Sequence, residues 1–165
     1  MRFSFLAAVA AVLAGVMSCA SAQDNPGKGA MDSRVEVALK EAGLGYAIDD
    51  GDFRLTYNLA DGRTQLVWVA SKTANITRLE FRDVWSVACR GKGQVPAELA
   101  KRLLTENVRM VLGAWQVNQA PDDYLVVFLV PVAADADAVT LEEIIEAVTV
   151  SADRMEKELT GEDEF

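Results

Sequence analysis

The sequence predicts one α+β domain in which helices pack on an antiparallel sheet, in the order α-βββ-α-ββ-α. Three observations carry that reading. Apolar residues recur every three or four positions near the start, in the middle and at the end of the chain, the period of amphipathic helices. Between these segments apolar and polar residues alternate, the period of half-buried strands. Turn residues, Asp61-Gly62 and Pro121-Asp122-Asp123, separate the alternating runs, which suits hairpins and so an antiparallel arrangement.

The chain has 165 residues, and residues 1–22 read as a signal peptide. Met1-Arg2 is the positive start, Phe3 to Met17 the apolar run, and Ala20-Ser21-Ala22 the small-x-small cleavage site. Cleavage between Ala22 and Gln23 makes Gln23 the mature N-terminus. The apolar run is shorter than the ~20 residues that span a bilayer. A rival reading takes Val16-Met17-Ser18-Cys19 as a lipoprotein box, with Cys19 the site of lipid attachment. Methionine before the serine is unusual there, and the Ala22 site competes with it. The expectation is export, to the bacterial periplasm, as a soluble or alternatively lipid-anchored protein.

Residues 23–31 form a Gly- and Pro-containing leader, and residues 32–160 the domain. Asp32 or Ser33 caps a first helix in which Val35, Ala38, Leu39 and Ala42 share a face and Gly43 stops the run. Phe53, Leu55, Tyr57 and Leu59 mark the first strand, and Thr64 to Ala70 the second, across the Asp61-Gly62 turn. The third runs from about Thr77 to Ala88, with Leu79, Phe81, Trp85 and Val87 in one parity. Asp83 shares that parity, which suggests a bulge or a change of face. Pro96 opens the second helix. Leu99, Ala100, Leu103, Leu104, Val108, Val111 and Leu112 form its apolar repeat, and Gly113 ends it. Trp115 to Asn118 and Tyr124 to Val130 form the last strand pair, with Pro131 as a stop or an edge. Thr140 with Glu143 reads as the capping box of a closing helix through Leu141, Ile145, Val148, Ala152, Met155 and Leu159. Residues 161–165 are an acidic tail. Leu104 and Ile145 are both expected in the core.

The formal net charge is −9, which disfavours a nucleic-acid partner. It is unevenly spread. Residues 23–120 carry 13 basic and 12 acidic side chains, and residues 121–165 carry 2 and 13. The chain has no histidine, which removes histidine bases, triads and metal ligands together. Cys89 therefore lacks a histidine partner, and reads as a buried small apolar residue. Gly91-Lys92-Gly93 lacks the remaining glycine and hydroxyl of a phosphate loop. Asp49-Asp50-Gly51-Asp52 is the densest carboxylate cluster, but its twelfth calcium-loop position is Ala60. A second loop from Asp135 has Glu146 twelfth but Thr140 where glycine is needed. No catalytic, cofactor or metal residue is assigned. Trp68, Trp85 and Trp115 fall on strands, where they fill the core or line a ligand or partner surface.

From about Val35 to Leu159 the chain resembles the YbjN family. The carrying features are Ala42-Gly43 through Tyr46 to Asp50-Gly51-Asp52-Phe53, Asn107 before Gly113-Ala114-Trp115, and the closing amphipathic helix. The resemblance implies a fold like that of type III secretion chaperones, and a non-enzymatic, chaperone-like or regulatory binder without a cofactor. A protein partner or a small ligand fits that expectation, as does a homodimer. "Sensory transduction regulator" is a label that such proteins bear. The alternatives are a small-ligand carrier using the sheet aromatics and a hydrolase built on Asp49 to Asp52.

Overall fold

The computed structural model describes residues 30–165. The signal peptide, its Ala22/Gln23 cleavage site and Cys19 lie outside the described residues. Nine elements follow in order: α1 (Ser33–Glu41), β1 (Ala47–Asp49), β2 (Asp52–Asn58), β3 (Thr64–Ile76), β4 (Leu79–Lys92), α2 (Ala97–Asn107), β5 (Ala114–Gln119), β6 (Asp123–Ala133) and α3 (Ala138–Leu159). The six strands form one open sheet in the order β1-β2-β3-β4-β6-β5, antiparallel throughout. The α+β class holds. Because β4 and β5 both pair antiparallel with β6, they run parallel to each other, and α2 makes the crossover between them.

All three helices feed one core. Val35 and Leu39 from α1, Leu103 from α2, and Leu141, Ile145, Val148 and Met155 from α3 cluster with Phe53, Leu55, Val67, Val69, Val84, Val126, Phe128 and Val130. The strand residues share one parity, so one face of the sheet takes every helix. Ion pairs between Arg102 and Glu158, and between Arg154 and Glu106 at 3.5 Å, bind α2 alongside α3 on that face.

Several expectations need correction. A short strand, β1, precedes the expected first strand, so four strands rather than three separate the first two helices. Asp50 at φ 51° and Gly51 at φ 95° make the tight turn that lets Asp49 pair with Asp52. β3 does not stop at Ala70. It runs to Ile76 as a long hairpin with β4, and its mostly polar residues 71–75 are held by hydrogen bonds: Ser71 Oγ accepts the Asp32 N–H at 3.3 Å and Thr73 Oγ1 donates to Glu80 at 2.7 Å. Of the two readings of Pro131 the edge holds and the stop does not: β6 runs on to Ala133, and Pro131 lies past the last β5 pair, Ala114 with Leu129, where one flank of β6 is open and no ladder bond is lost. Asp137, not Thr140, caps α3, accepting the Thr140 N–H at 2.8 Å. The acidic tail is docked: the Glu156 carboxylate accepts the N–H groups of Glu164 and Phe165 at 2.7 and 3.3 Å.

The largest correction concerns α2. It ends at Asn107 and buries only Leu103 fully, while Leu104, Val108, Val111 and Leu112 face solvent. A helix reaching Gly113 would have carried the chain away from β6. The early stop instead lets residues 108–113 turn back into β5.

A buried arginine pins α1 to the sheet. Arg82 projects from β4 into the helix side, and donates to the carbonyls of Ala70 and Ala134 at 2.8 and 3.0 Å and to Asp32 at 2.7 Å. Asp32 also caps α1 through the Arg34 N–H at 2.9 Å. Arg34 in turn forks onto Glu80 at 2.8 and 2.9 Å. Hydrogen bonds from Arg34, then Arg82, hold the Asp32 carboxyl far below the usual carboxylate range. Those from Arg34, with Thr73, pull Glu80 down to about 2.

Two predictions follow from this packing. Ile145→Ala should cost on the order of 2–5 kcal/mol in denaturant unfolding, and Leu104→Ala should stay within about 0.5 kcal/mol. Carboxyls depressed in the fold stabilise it above their unfolded values, and that stability goes as pH falls through the folded ones. Stability should therefore drop as pH falls from about 4.5 towards about 2. Asp32→Asn should be less stable at pH 7 and less acid-sensitive, read from unfolding curves of both proteins across that range.

Candidate functional site

The face of the sheet away from the helices is apolar at its centre. Cross-strand pairing places Arg54, Trp68, Trp85, Leu129 and Ala114 in one row across β2, β3, β4, β6 and β5. Trp68 and Trp85 stack with ring centroids 4.5 Å apart and planes 8° from parallel. The Trp68 Nε1 donates to Asp49 at 2.9 Å, which satisfies the polar end of the ring. The neighbouring row holds Val87, Val127 and Gln116, with Leu66 of β3 on the same parity. Val87 and Val127 retain only 4% and 1% exposure.

Trp115 is on the other face. It pairs with Phe128 across β5 and β6, ring centroids 4.9 Å apart, and is buried against the helices. The three tryptophans therefore do not form one site: Trp68 and Trp85 line an uncovered surface, and Trp115 fills the core. In β4 the apolar parity read from sequence (Leu79, Phe81, Trp85, Val87) belongs to the helix-free face. Asp83 stays on it without a change of face. The helix side instead takes Arg82, Val84 and Ser86. Their polar groups are held inside: Ser86 Oγ donates to the Leu66 carbonyl at 2.6 Å, and Gln65 Nε2 to Ser86 Oγ and the Val87 carbonyl at 2.8 and 2.7 Å. Polar residues at core parity hid the true orientation from a pattern based on hydrophobicity.

Beside the tryptophan row, β3 shifts register between Val69 and Thr73. The irregularity opens a cleft of about 330 Å³ lined by Asp52, Ala70, Lys72, Thr73, Phe81 and Asp83, among others. Asp52 accepts the Ser71 N–H at 2.8 Å and Asp49 the Trp68 indole N–H, so two of the three clustered carboxylates brace backbone and ring. Asp137 is engaged at the start of α3. Among the described residues, no three His, Cys, Asp or Glu side chains come together as a metal-binding group. Cys89 is buried on the helix side opposite Val126, just past a second register shift. Burial, then the charges of Glu164 and Glu156, push its thiol up, away from the reactive thiolate.

A second surface lies at the end of α2. Leu104, Val108, Val111 and Leu112 are 69%, 85%, 103% and 50% exposed. They lead into β5, an edge strand whose residues Ala114–Gln119 (AWQVNQ) carry no charge and no proline. The opposite edge, β1, has three residues and ends in Asp49 followed by Asp50, a short and acidic edge of the kind that resists pairing. Asn107 joins the two parts of the surface. Its Oδ1 accepts the Trp115 N–H at 2.7 Å and its Nδ2 donates to the Trp115 carbonyl at 3.1 Å, as a strand neighbour would. Gly113, at φ 77°, lets the chain turn there; a Cβ would meet the Val130 side chain at 2.6 Å and the Leu129 carbonyl at 2.7 Å. The spacing of Asn107 from Trp115 was visible in the sequence, and the structure gives it this clamping role.

No family model matches the chain, and no curated protein matches it.

Asn107→Ala should cost about 1–3 kcal/mol, because it leaves both main-chain groups of Trp115 without these partners. Amide exchange should show the loss locally, as faster exchange at Trp115 with β2 and β3 unchanged.

Proposed function

We propose that this protein is an exported, non-enzymatic binding module with a chaperone-like role of the YbjN type, whose working surface is the end of α2 together with the edge of β5. One observation carries the reading: four aliphatic side chains stand exposed within nine residues, directly beside an uncharged strand edge. An extended segment of a client protein is the chemistry that fits. Its backbone pairs with β5 beyond Trp115, whose main chain Asn107 already holds, and its apolar side chains cover Leu104, Val108, Val111 and Leu112. The acidic α3 and C-terminal residues keep nucleic acid away. Among the described residues, no helix is long and apolar enough to cross a membrane. The stacked tryptophans beside the cleft support a second reading, a small-ligand carrier, in which a planar or apolar ligand would change their fluorescence.

The test is suppression of aggregation of reduced insulin, followed by light scattering. The protein should delay aggregation at equimolar concentration, and Val108→Glu with Val111→Glu should abolish the delay while the melting temperature stays within a few degrees. No delay by the parent protein, or an unchanged delay by the double variant, would contradict the assignment.

A further inference from the structure

We propose that the helix-free face of the sheet is closed by a second copy of the chain, the two sheets meeting face to face about a two-fold axis that reverses strand direction. This surface is separate from the α2–β5 surface and does not depend on the client reading above.

Three observations select a second copy. The centre of the face is apolar and holds no charged side chain other than Arg54. Trp68, Trp85, Leu129 and Leu66, each half-buried in the single chain, are contiguous around the already buried Val87 and Val127 across three strands. The charges flanking this centre are arranged in opposite signs. Following β4 on this face, Asp83 precedes Trp85 and Val87, and Arg90 and Lys92 follow them. Asp49 and Asp52 lie on the Asp83 side, with Lys72 at the cleft, and Asp123 pairs with Lys92 at the other end. The Asp83 end is therefore net acidic and the Arg90 end net basic. A two-fold axis across the strands sets the acidic end of each copy over the basic end of the other, with the Trp85 and Val87 rows meeting at the axis.

The third observation is the distribution of charge over the whole molecule. Residues 121–165 carry 13 acidic and 2 basic side chains, and most of these lie on α3 or the tail docked against it, in the layer behind the sheet. Two molecules that approach by their helix layers repel each other. Approach by the sheet faces keeps the two acidic layers on the outside, a full sheet thickness or more from the interface, where salt screens them.

Sedimentation velocity on the exported protein tests this directly. The parent protein should sediment as a dimer at micromolar concentration. Asp83→Lys and Arg90→Asp should each weaken the dimer by about tenfold or more, since each sets like charges against each other. The double variant, Asp83→Lys with Arg90→Asp, should restore the parent affinity to within a few-fold, because the introduced lysine of one copy again faces the introduced aspartate of the other. Leu104→Glu should leave the dimer intact. Both charged positions are on the surface, and thermal melts of each variant report separately on folding. A monomer at every concentration overturns the proposal, as does a dimer insensitive to the swaps. Single-variant losses that the double variant fails to repair overturn the two-fold register. A dimer abolished by Leu104→Glu places the contact at α2 instead, and overturns the proposal while leaving that surface in use.

Discussion

Everything in this molecule is conditioned by the placement of three helices on the same face of a six-stranded sheet. A sheet has two faces, and burial of apolar area is worth roughly 25 cal/mol per Å². Such a one-sided arrangement normally leaves polar side chains on the bare face. Here the bare face carries stacked tryptophans and aliphatic residues instead. The crossover through α2 adds to this. Carrying the chain from β4 past β6 to β5 requires a helix short enough to turn back, and the early stop at Asn107 leaves four aliphatic residues outside the core.

The interior is organised in the opposite sense, with polar groups placed where pattern alone would put apolar ones. Arg82 reaches in from β4 to two carbonyls and to Asp32, so the start of α1, the β3 irregularity at Ala70 and the entry to α3 at Ala134 share one cation. Ser86 and Gln65 tie β3 to β4 inside the sheet. At the far end Arg63 joins Glu156, at 3.2 Å, and Asp153, while Glu156 gathers the C-terminal main chain. Buried charges of this kind cost desolvation and add little net stability unless fully bonded. Their role here is to hold the helices on one side in one register, which leaves the other side free.

Much of this architecture was legible in the sequence. Local signals marked the Asp32 cap, the Asp61-Gly62 hairpin, Pro96 and the α3 stripe, since each depends on residues close in the chain. The orientation of β4 was not legible. Its alternation fits either face equally well, and only the long-range bonds of Arg82 and Ser86 decide between them. The extension of β3 through the mostly polar residues 71–75 was equally hidden, because Ser71 and Thr73 are held by bonds to Asp32, Asp52 and Glu80, distant in the chain or across the hairpin, and not by an apolar stripe. The α2 repeat misled for a related reason: Val108, Val111 and Leu112 have helical spacing but follow a helix end set by Asn107 bonding to β5. The two proposed surfaces are the places where these local rules failed: Leu104, Val108, Val111 and Leu112 stand exposed, and the Trp68–Trp85 stack lies on the bare sheet face.

We propose two apolar surfaces with different occupants: a second copy on the sheet face and a client at α2 and β5. Hydroxyl-radical footprinting of the protein alone across a concentration series reads which of the two surfaces a second copy covers. Trp68 and Trp85 should be protected at high protein concentration and become oxidised on dilution, while Leu104, Val108 and Leu112 should be oxidised at the same rate throughout. Tryptophan oxidation that does not change with concentration, or protection that appears instead at the end of α2, would contradict that proposal.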